Sequence, residues 1–233
     1  MSFNPSSDVS QDTVVLIHAA VVSRQSLFLL ARRLRRLGFK VHNLSYPNRQ
    51  LNVFDCAEYL YPIFKEISSR TQGRVHVAGH SMGGLVARHL LCLYQPPNFG
   101  RLVTLGTPHR GSRLADIFQD WFLYEKIFGP AGDDLVTNRR LNWPGPWPPP
   151  YEIGLIAGTV PIGPGIFILK HPCDGTVARG SAQPPEGTDY ATVRATHTTI
   201  PFLKKTAELT ARFFRTGRFA GENTSEPKGQ APA

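Results

Sequence analysis

Short apolar segments alternate with amphipathic segments along this chain, and this alternation restricts the fold more than any other feature. The first apolar segment, 13–18 (TVVLIH), is rich in β-branched residues, as in a strand buried on both faces. A helical pattern follows, in which Leu27, Leu30 and Leu34 recur at three- to four-residue spacing. The repeated order predicts an α/β fold with a mostly parallel, six-stranded sheet and helices on both faces.

The boundaries of the other elements follow from the same patterns. Strands are predicted at 39–44, 74–78, 101–105, 151–157 and 190–195, and helices at 53–70, 81–94 and 200–215. We expect Pro62 to kink or split the second helix, because proline lacks an amide hydrogen. Gly38 and Gly217 are predicted to end the first and the last helix.

The length of 233 residues suits one sizeable core, which we predict over residues 13–219. Residues 1–12 are polar and are predicted to form a flexible arm. Residues 220–233, rich in Gly, Glu, Ser and Pro, are predicted to form a disordered tail.

The segment 79–83 reads Gly-His-Ser-Met-Gly and lies between a predicted strand and a predicted helix. A serine on such a sharp turn has strained backbone angles, and small residues two positions away on each side prevent collisions across the turn. The turn also places Ser81 at a helix N-terminus, where backbone N–H groups favour a developing negative charge. Ser81 is therefore the candidate nucleophile.

A nucleophilic serine needs a general base, and the chain order serine, acid, histidine is typical of this strand–turn–helix motif. His89 lies two turns into the following helix, out of reach of the hydroxyl. His109 precedes the acid candidates, and His171 lies close to one of them. His197, between the last strand and the last helix, is predicted to be the base, with a surface role as the alternative.

Asp174 is the favoured acid, because it follows the fifth strand and catalytic groups gather at the carboxyl edge of a parallel sheet. Asp189 is the rival, but it precedes the sixth strand and so lies at the opposite edge. Asp133 and Asp134 are adjacent like charges that we expect to be solvated. We expect the N–H groups of Met82 and Ala20 to form an oxyanion hole, and His80 and His109 to contact substrate.

Four segments resemble small lipases and esterases of the α/β-hydrolase superfamily, in the branch of triacylglycerol lipases and GPI-inositol-deacylase-like proteins. They are VVLIH at 14–18, GHSMGG at 79–84, LGTPHRGS at 105–112 and DGTV at 174–177. The resemblance covers residues 13–219. It implies a minimal cap domain or none, an acyl-enzyme mechanism with the triad Ser81, Asp174 and His197, and no metal or organic cofactor.

One residue departs from the pattern of these relatives, which usually have glycine after the first-strand histidine. This chain has Ala19 there. Alanine is strained at positive φ, so the departure puts the Ala20 donor in question. A catalytically weak binding module therefore remains an alternative to an esterase or lipase of lipid metabolism. Transfer of the acyl group to another acceptor, by an acyltransferase, is a separate alternative.

The formal net charge is +9, but the lysines and arginines are dispersed. We therefore expect an ester or lipid substrate and peripheral lipid contact rather than a nucleic-acid partner. No signal peptide or apolar membrane span is evident, which predicts a cytoplasmic protein; the oligomeric state stays open. The aromatic residues Trp121, Phe122, Tyr124 and Phe128 are predicted to pack on the sheet, with an acyl-pocket wall or contact with a lipid surface as the alternatives.

Overall fold

Six strands form one sheet in the order β2-β1-β3-β4-β5-β6, and every neighbouring pair is parallel. The computed structural model describes residues 11–121, 124, 126, 128–137, 151–183 and 187–220. Within these residues the strands are β1 (Thr13–Ile17), β2 (Lys40–Asn43), β3 (Val75–His80), β4 (Phe99–Leu105), β5 (Ile153–Gly158) and β6 (Asp189–Val193). The predicted α/β fold with a parallel sheet is confirmed.

Helices connect the strands and cover both faces of the sheet. They are α1 (Phe28–Arg36), α2 (Val53–Arg70), α3 (Met82–Leu93), α4 (Arg113–Phe118), α5 (Ala131–Asp134), α6 (Arg179–Ala182) and α7 (Lys204–Thr216). Single 3-10 segments at Arg24–Leu27 and His197–Phe202 precede α1 and α7. The described part of the β4–β5 connection holds α4, α5 and the helical residues Tyr124, Lys126 and Phe128, with no separate cap domain, as predicted.

Two apolar cores lie on opposite faces of the sheet, which explains why β1 has no polar alternation. Val15 and Ile17 pack with α2 and α3, whereas Val14 and Leu16 pack with α1 and α7. Since all four side chains are fully buried, the strand supplies apolar residues to both cores. No helix among the described residues is long and apolar enough to cross a membrane.

The split expected at Pro62 was wrong, because α2 runs unbroken through it from Val53 to Arg70, and the alternative of a kink stays a prediction. Pro62 is exposed, so the carbonyl that loses its hydrogen-bond partner faces the solvent side of the helix. Leu60 and Phe64, both fully buried, pack the opposite side of α2 in the same core as α3. This burial offsets the cost of about 3 kcal/mol that proline imposes inside a helix.

The last helix also begins later than predicted. Residues 197–202 form the 3-10 segment, and α7 starts only at Lys204 because Pro201 interrupts the regular helical hydrogen bonding. Gly217 ends α7 in the left-handed conformation, with φ of 73°, as predicted. His197 is therefore the first residue of a turn at the carboxyl edge of the sheet. Residues 1–10 of the predicted arm and 221–233 of the predicted tail lie outside the described residues.

Candidate active site

Ser81 occupies the single residue between the end of β3 and the start of α3. Its φ is 52° and its ψ is −125°, a conformation that is strained for any residue other than glycine. A Cβ atom at Gly79 would lie 2.5 Å from the carbonyl oxygen of Gly83, and one at Gly83 would collide with the carbonyl oxygen of Ile17. The two glycines therefore allow the turn to approach β1 and to present the serine hydroxyl at the edge of the sheet.

The three predicted triad residues lie together at this edge. The Ser81 hydroxyl is 2.9 Å from Nε2 of His197, and Nδ1 of His197 is 2.8 Å from Oδ2 of Asp174. Asp174 is 1% exposed and His197 8% exposed, so little water reaches the imidazole–carboxylate pair. The geometry allows Nδ1–H to donate to the carboxylate while Nε2 accepts the proton of the serine hydroxyl.

Asp174 is held by the tight turn that contains it. Its Oδ1 accepts hydrogen bonds from the backbone N–H groups of Thr176, at 2.9 Å, and Val177, at 2.7 Å. Gly175 supplies the left-handed residue of this turn, with φ of 89°. The Asp174 Oδ2 atom remains directed at His197. The backbone N–H of His197 in turn donates to the Asp174 carbonyl oxygen at 2.8 Å.

The segment after β4 lies against both the Ser81 turn and the Asp174–His197 pair. The Thr107 hydroxyl donates to the Ser81 carbonyl at 2.9 Å. Gly106 has φ of 56°, and a Cβ atom there would lie 3.0 Å from Oδ2 of Asp174 and 3.2 Å from Nδ1 of His197. The Gly-Thr pair of this segment thus leaves room for the acid and base, a supporting role that the sequence analysis did not assign to it.

His80 lies beside the triad and in the wall of the cavity next to Ser81. Its Nε2 is 3.0 Å from the His197 carbonyl oxygen, and the two imidazole rings are 5.1 Å apart. Burial, together with the nearby His197, lowers the pKa of His80 to about 3, so its ring is neutral. Nε2–H therefore donates to the His197 carbonyl, while the predicted contact of His80 with substrate stays a prediction.

His109 lies elsewhere, which corrects the expectation that it lines the site. Its Nε2 is 2.9 Å from the Thr104 hydroxyl, and its Nδ1 is 3.4 Å from the Arg88 guanidinium. Burial and the charge of Arg88 lower the pKa of His109 well below its usual value. The chain turns after Gly106, so this side chain points back onto β4 rather than into the cavity.

The two residues predicted to donate to the oxyanion, Met82 and Ala20, both lie close to Ser81. Met82 is the first residue of α3, and its N–H is one of the four that a helix leaves without an internal acceptor. Ala20 lies in the same cavity wall as Ser81, at the carboxyl end of β1. Neither Ala19 nor Ala20 has a positive φ; the strained residue of this loop is Val21, with φ of 65°. Alanine at position 19 is therefore accommodated without backbone strain.

A cavity of about 640 Å³ opens beside Ser81 and His197. Its wall is mostly apolar and includes Phe118, Trp121, Tyr124, Phe128 and Leu135. Tyr124 belongs to the apolar core that contains Val15 and Ile17, and Phe128 packs against it, so the predicted packing is confirmed for these two residues, which also line the cavity. Trp121 lines the cavity and is 59% exposed, so the packing prediction was wrong for Trp121; Phe122 lies outside the described residues. Tyr124 donates its hydroxyl to the Gly132 carbonyl at 2.9 Å, so its polar atom is used within the protein.

Comparison with known proteins extends these observations. A PGAP1-like alpha/beta domain model matches residues 36–127. A triacylglycerol lipase of Pseudarthrobacter phenanthrenivorans is 39% identical over 64 residues, 27% of this chain and 20% of the relative. Triacylglycerol lipase 2 of Saccharomyces cerevisiae is 41% identical over 61 residues, 25% of this chain and 19% of the relative. The matched stretch thus spans about a fifth of the length of these curated relatives.

Solved structures match over most of the chain. The mature lipase BlEst2 of Bacillus licheniformis has a TM-score of 0.65 at 21% identity, covering 87% of this chain and 89% of that one. The metagenomic carboxyl esterase MGS0156 has a TM-score of 0.67 at 17% identity, covering 82% and 66%. The chain thus has the α/β-hydrolase fold and is similar to lipases and esterases, which confirms the resemblance read from its motifs.

Proposed function

We propose that this protein hydrolyses carboxylic esters through an acyl-enzyme intermediate on Ser81. The observation that carries the proposal is the hydrogen-bonded series from the Ser81 hydroxyl through His197 to Asp174, with distances of 2.9 and 2.8 Å, at the wall of an apolar cavity. The local similarity to triacylglycerol lipases supports the same reaction class. A hydroxyl, an imidazole and a carboxylate in this order are the groups that serine acyl transfer requires.

The reaction proceeds in two acyl transfers. His197 Nε2 takes the hydroxyl proton as Ser81 Oγ attacks the ester carbonyl carbon, and Asp174 stabilises the imidazolium that forms. The N–H groups of Met82 and Ala20 donate to the oxyanion of the tetrahedral intermediate. The intermediate collapses, and the alcohol leaves with the proton from His197. Water then attacks the acyl-enzyme with His197 again as base, which releases the carboxylic acid and restores Ser81.

The cavity indicates the kind of ester. Its volume of about 640 Å³ lies in the range of sites for drug-sized ligands, and its aromatic and aliphatic wall has few groups that would bind a charged acyl chain. Burial of methylene groups contributes about 0.8 kcal/mol each. We therefore propose an ester with an uncharged, medium-length or long acyl group.

Several apolar side chains at the cavity and beside it are open to solvent. Trp121 is 59% exposed and Phe202 40%, and both belong to the cavity wall. Ile162 and Phe167, which flank the wall residue Pro164 in sequence, are 66% and 96% exposed. Exposed apolar groups beside a cavity mark contact surfaces. We propose that this rim contacts aggregated lipid substrate.

The test of the reaction is hydrolysis of p-nitrophenyl butyrate by the wild type, by Ser81→Ala and by Ser69→Ala. We expect kcat to fall at least about 10⁴-fold in Ser81→Ala, since that variant has no nucleophile. Ser69 is exposed near the end of α2, which leads into the start of β3, whereas Ser81 follows the other end of that strand, so its variant controls for loss of a serine hydroxyl. Full activity in Ser81→Ala would overturn the proposal.

The test of the rim compares dissolved butyrate with emulsified long-chain esters. We expect Phe167→Ser to lower the rate on the emulsion and to leave the rate on the dissolved ester unchanged, because Phe167 is almost fully exposed. Equal rates of wild type and variant on both substrates would contradict the lipid-contact proposal while leaving ester hydrolysis intact.

A further inference from the structure

Asn48 connects two segments that lie far apart in the sequence. It follows β2 and is 7% exposed. Its Nδ2 donates to two carbonyl oxygens of the loop after β1, that of Ala19 at 2.9 Å and that of Val22 at 2.8 Å. One buried carboxamide therefore holds both ends of the four-residue segment that contains Ala20.

The bond to Ala19 decides which way the N–H of Ala20 points. The Ala19 carbonyl and the Ala20 N–H belong to one peptide unit, and in a planar trans peptide these two groups point in opposite directions. The only cis peptide among the described residues precedes Pro172. When Asn48 holds the carbonyl on its own side, the Ala20 N–H is directed away from Asn48. Because Ala20 lines the cavity together with Ser81, we infer that this direction is towards the oxyanion.

The loop needs such a restraint because its own sequence does not set its conformation. Segment 18–22 reads His-Ala-Ala-Val-Val and has no glycine, yet Val21 has φ of 65°. A left-handed conformation costs an L-residue about 1–2 kcal/mol, so the free loop would leave it. Tyr46 adds a second restraint from the β2–α2 connection, since its hydroxyl donates to the His18 carbonyl at 2.5 Å.

We propose that Asn48 is a positioning residue for the oxyanion hole. Its carboxamide fixes the peptide between Ala19 and Ala20 so that the Ala20 N–H is ready to bind the tetrahedral intermediate. This inference rests on the proposed function, because the orientation of that N–H matters for rate only if Ser81 is acylated. Asn48 touches neither substrate nor reacting atoms and acts through the Ala20 N–H alone.

The test is Asn48→Asp, which keeps the side-chain shape and removes both donors. His18 Nδ1 also lies 2.9 Å from the Ala19 oxygen, so part of the restraint remains. We expect kcat to fall about tenfold, less than the roughly 10²–10³-fold loss on removing an oxyanion donor. KM for p-nitrophenyl butyrate should stay at its wild-type value. Affinity for an alkyl trifluoromethyl ketone, which forms a tetrahedral adduct with an active serine, should fall by the same factor as kcat.

The matched control is Asn98→Asp. Asn98 precedes β4, at the opposite edge of the sheet, and its Nδ2 donates to three carbonyl oxygens, those of Ser68, Thr71 and Gly73, at 3.1–3.2 Å. This variant loses at least as many bonds, so we expect its melting temperature to fall while kcat and ketone affinity stay at wild-type values.

The outcomes separate this inference from the function on which it rests. Wild-type kcat and ketone affinity in folded Asn48→Asp would overturn the positioning role, as would an equal loss of kcat in Asn98→Asp. If Asn48→Asp does not fold, Asn48→Ala decides by the same readouts, because it removes the donors without burying a carboxylate beside two carbonyl oxygens. Retained activity in Ser81→Ala would instead overturn the proposed function.

Discussion

Two turns meet beside the cavity, and each contains a non-glycine residue at positive φ, yet they are stabilised in different ways. The turn after β3 places Ser81 at φ of 52°, and the turn after β1 places Val21 at φ of 65°. Glycines two positions away on each side make room for the first turn. The second has no glycine and is held by hydrogen bonds from Tyr46 and Asn48, which are 25 or more residues away. The turn after β3 thus depends chiefly on its own glycines, to which Thr107 adds one hydrogen bond, whereas the turn after β1 depends on side chains that are distant in the sequence.

This difference determines where each turn can be broken. Where small residues of the turn itself provide the space, replacing one of them with a larger residue should destabilise the protein, because the added atoms collide with backbone that cannot move aside. A turn supported at long range tolerates changes within itself and is vulnerable at its distant partners. The predictions below test this contrast, beginning with the largest expected effect.

Gly83→Ala should break the turn after β3. The added Cβ would meet the carbonyl oxygens of Ile17 and His18, which are fixed in β1 and its continuation. We expect the free energy of unfolding to fall by about 3 kcal/mol, the upper end of overpacking effects. Urea denaturation measures this loss. The control is Gly180→Ala in α6, where a Cβ atom would meet nothing within 4 Å. A loss in Gly83→Ala no larger than in this control would refute local steric support.

Acid should weaken the turn after β3 through His80. Burial and the nearby His197 lower the pKa of His80 to about 3, whereas an unfolded chain holds histidine near 6.5. The unfolded chain therefore binds more protons between these values. The contribution of His80 to stability is complete above about pH 6.5 and falls as the pH drops towards 3, by up to about 1.4 kcal/mol per pH unit.

The pH dependence of urea unfolding between pH 4 and 7 measures this effect. His80→Gln, which keeps an N–H donor for the His197 carbonyl, should flatten the curve. His171→Gln, at an exposed position, serves as the control and should not. Burial also lowers the pKa of His18 in the turn after β1. The pH dependence of urea unfolding in His18→Gln therefore gives the matching measurement for that turn. A His80→Gln curve that follows the wild type would rule out this source of acid sensitivity.

Val21→Gly should leave the turn after β1 intact and slightly stabilise the protein. Glycine removes the left-handed strain of about 1–2 kcal/mol but loses about 0.5–1 kcal/mol of chain entropy. We expect the free energy of unfolding to rise by about 0.5–1 kcal/mol, measured by thermal and urea denaturation. A fall of more than about 1 kcal/mol would mean that the Val21 side chain itself stabilises the loop.

The sequence predicted the turn after β3 well, because its determinants are adjacent residues. The glycines, the preceding apolar strand and the following helix all lie within 74–94. The order of elements also led to His197 and Asp174, since both follow strands whose carboxyl ends meet at one edge of the sheet. Their adjacency to Ser81 agrees with that reasoning, and their catalytic roles await the tests above.

The turn after β1 could not be predicted in the same way. The sequence indicated backbone strain at Ala19, whereas the residue with positive φ is Val21. The position of a positive φ in this loop depends on where distant hydrogen-bond donors hold it. Asn48 acts there only because β2 lies beside β1 in the sheet, a pairing that the residues around Asn48 do not encode locally. The prediction that His109 contacts substrate was wrong for a related reason, since the turn at Gly106 redirects the chain that follows it.

The central claim, that Ser81 is an activated nucleophile, is tested most directly by covalent labelling. The wild-type protein is treated with an alkyl fluorophosphonate, and intact-mass and peptide mass spectrometry locate the adduct. We expect one adduct per chain, on Ser81, and none in Ser81→Ala. An unlabelled wild-type protein, or an adduct on a different residue that persists in Ser81→Ala, would contradict it.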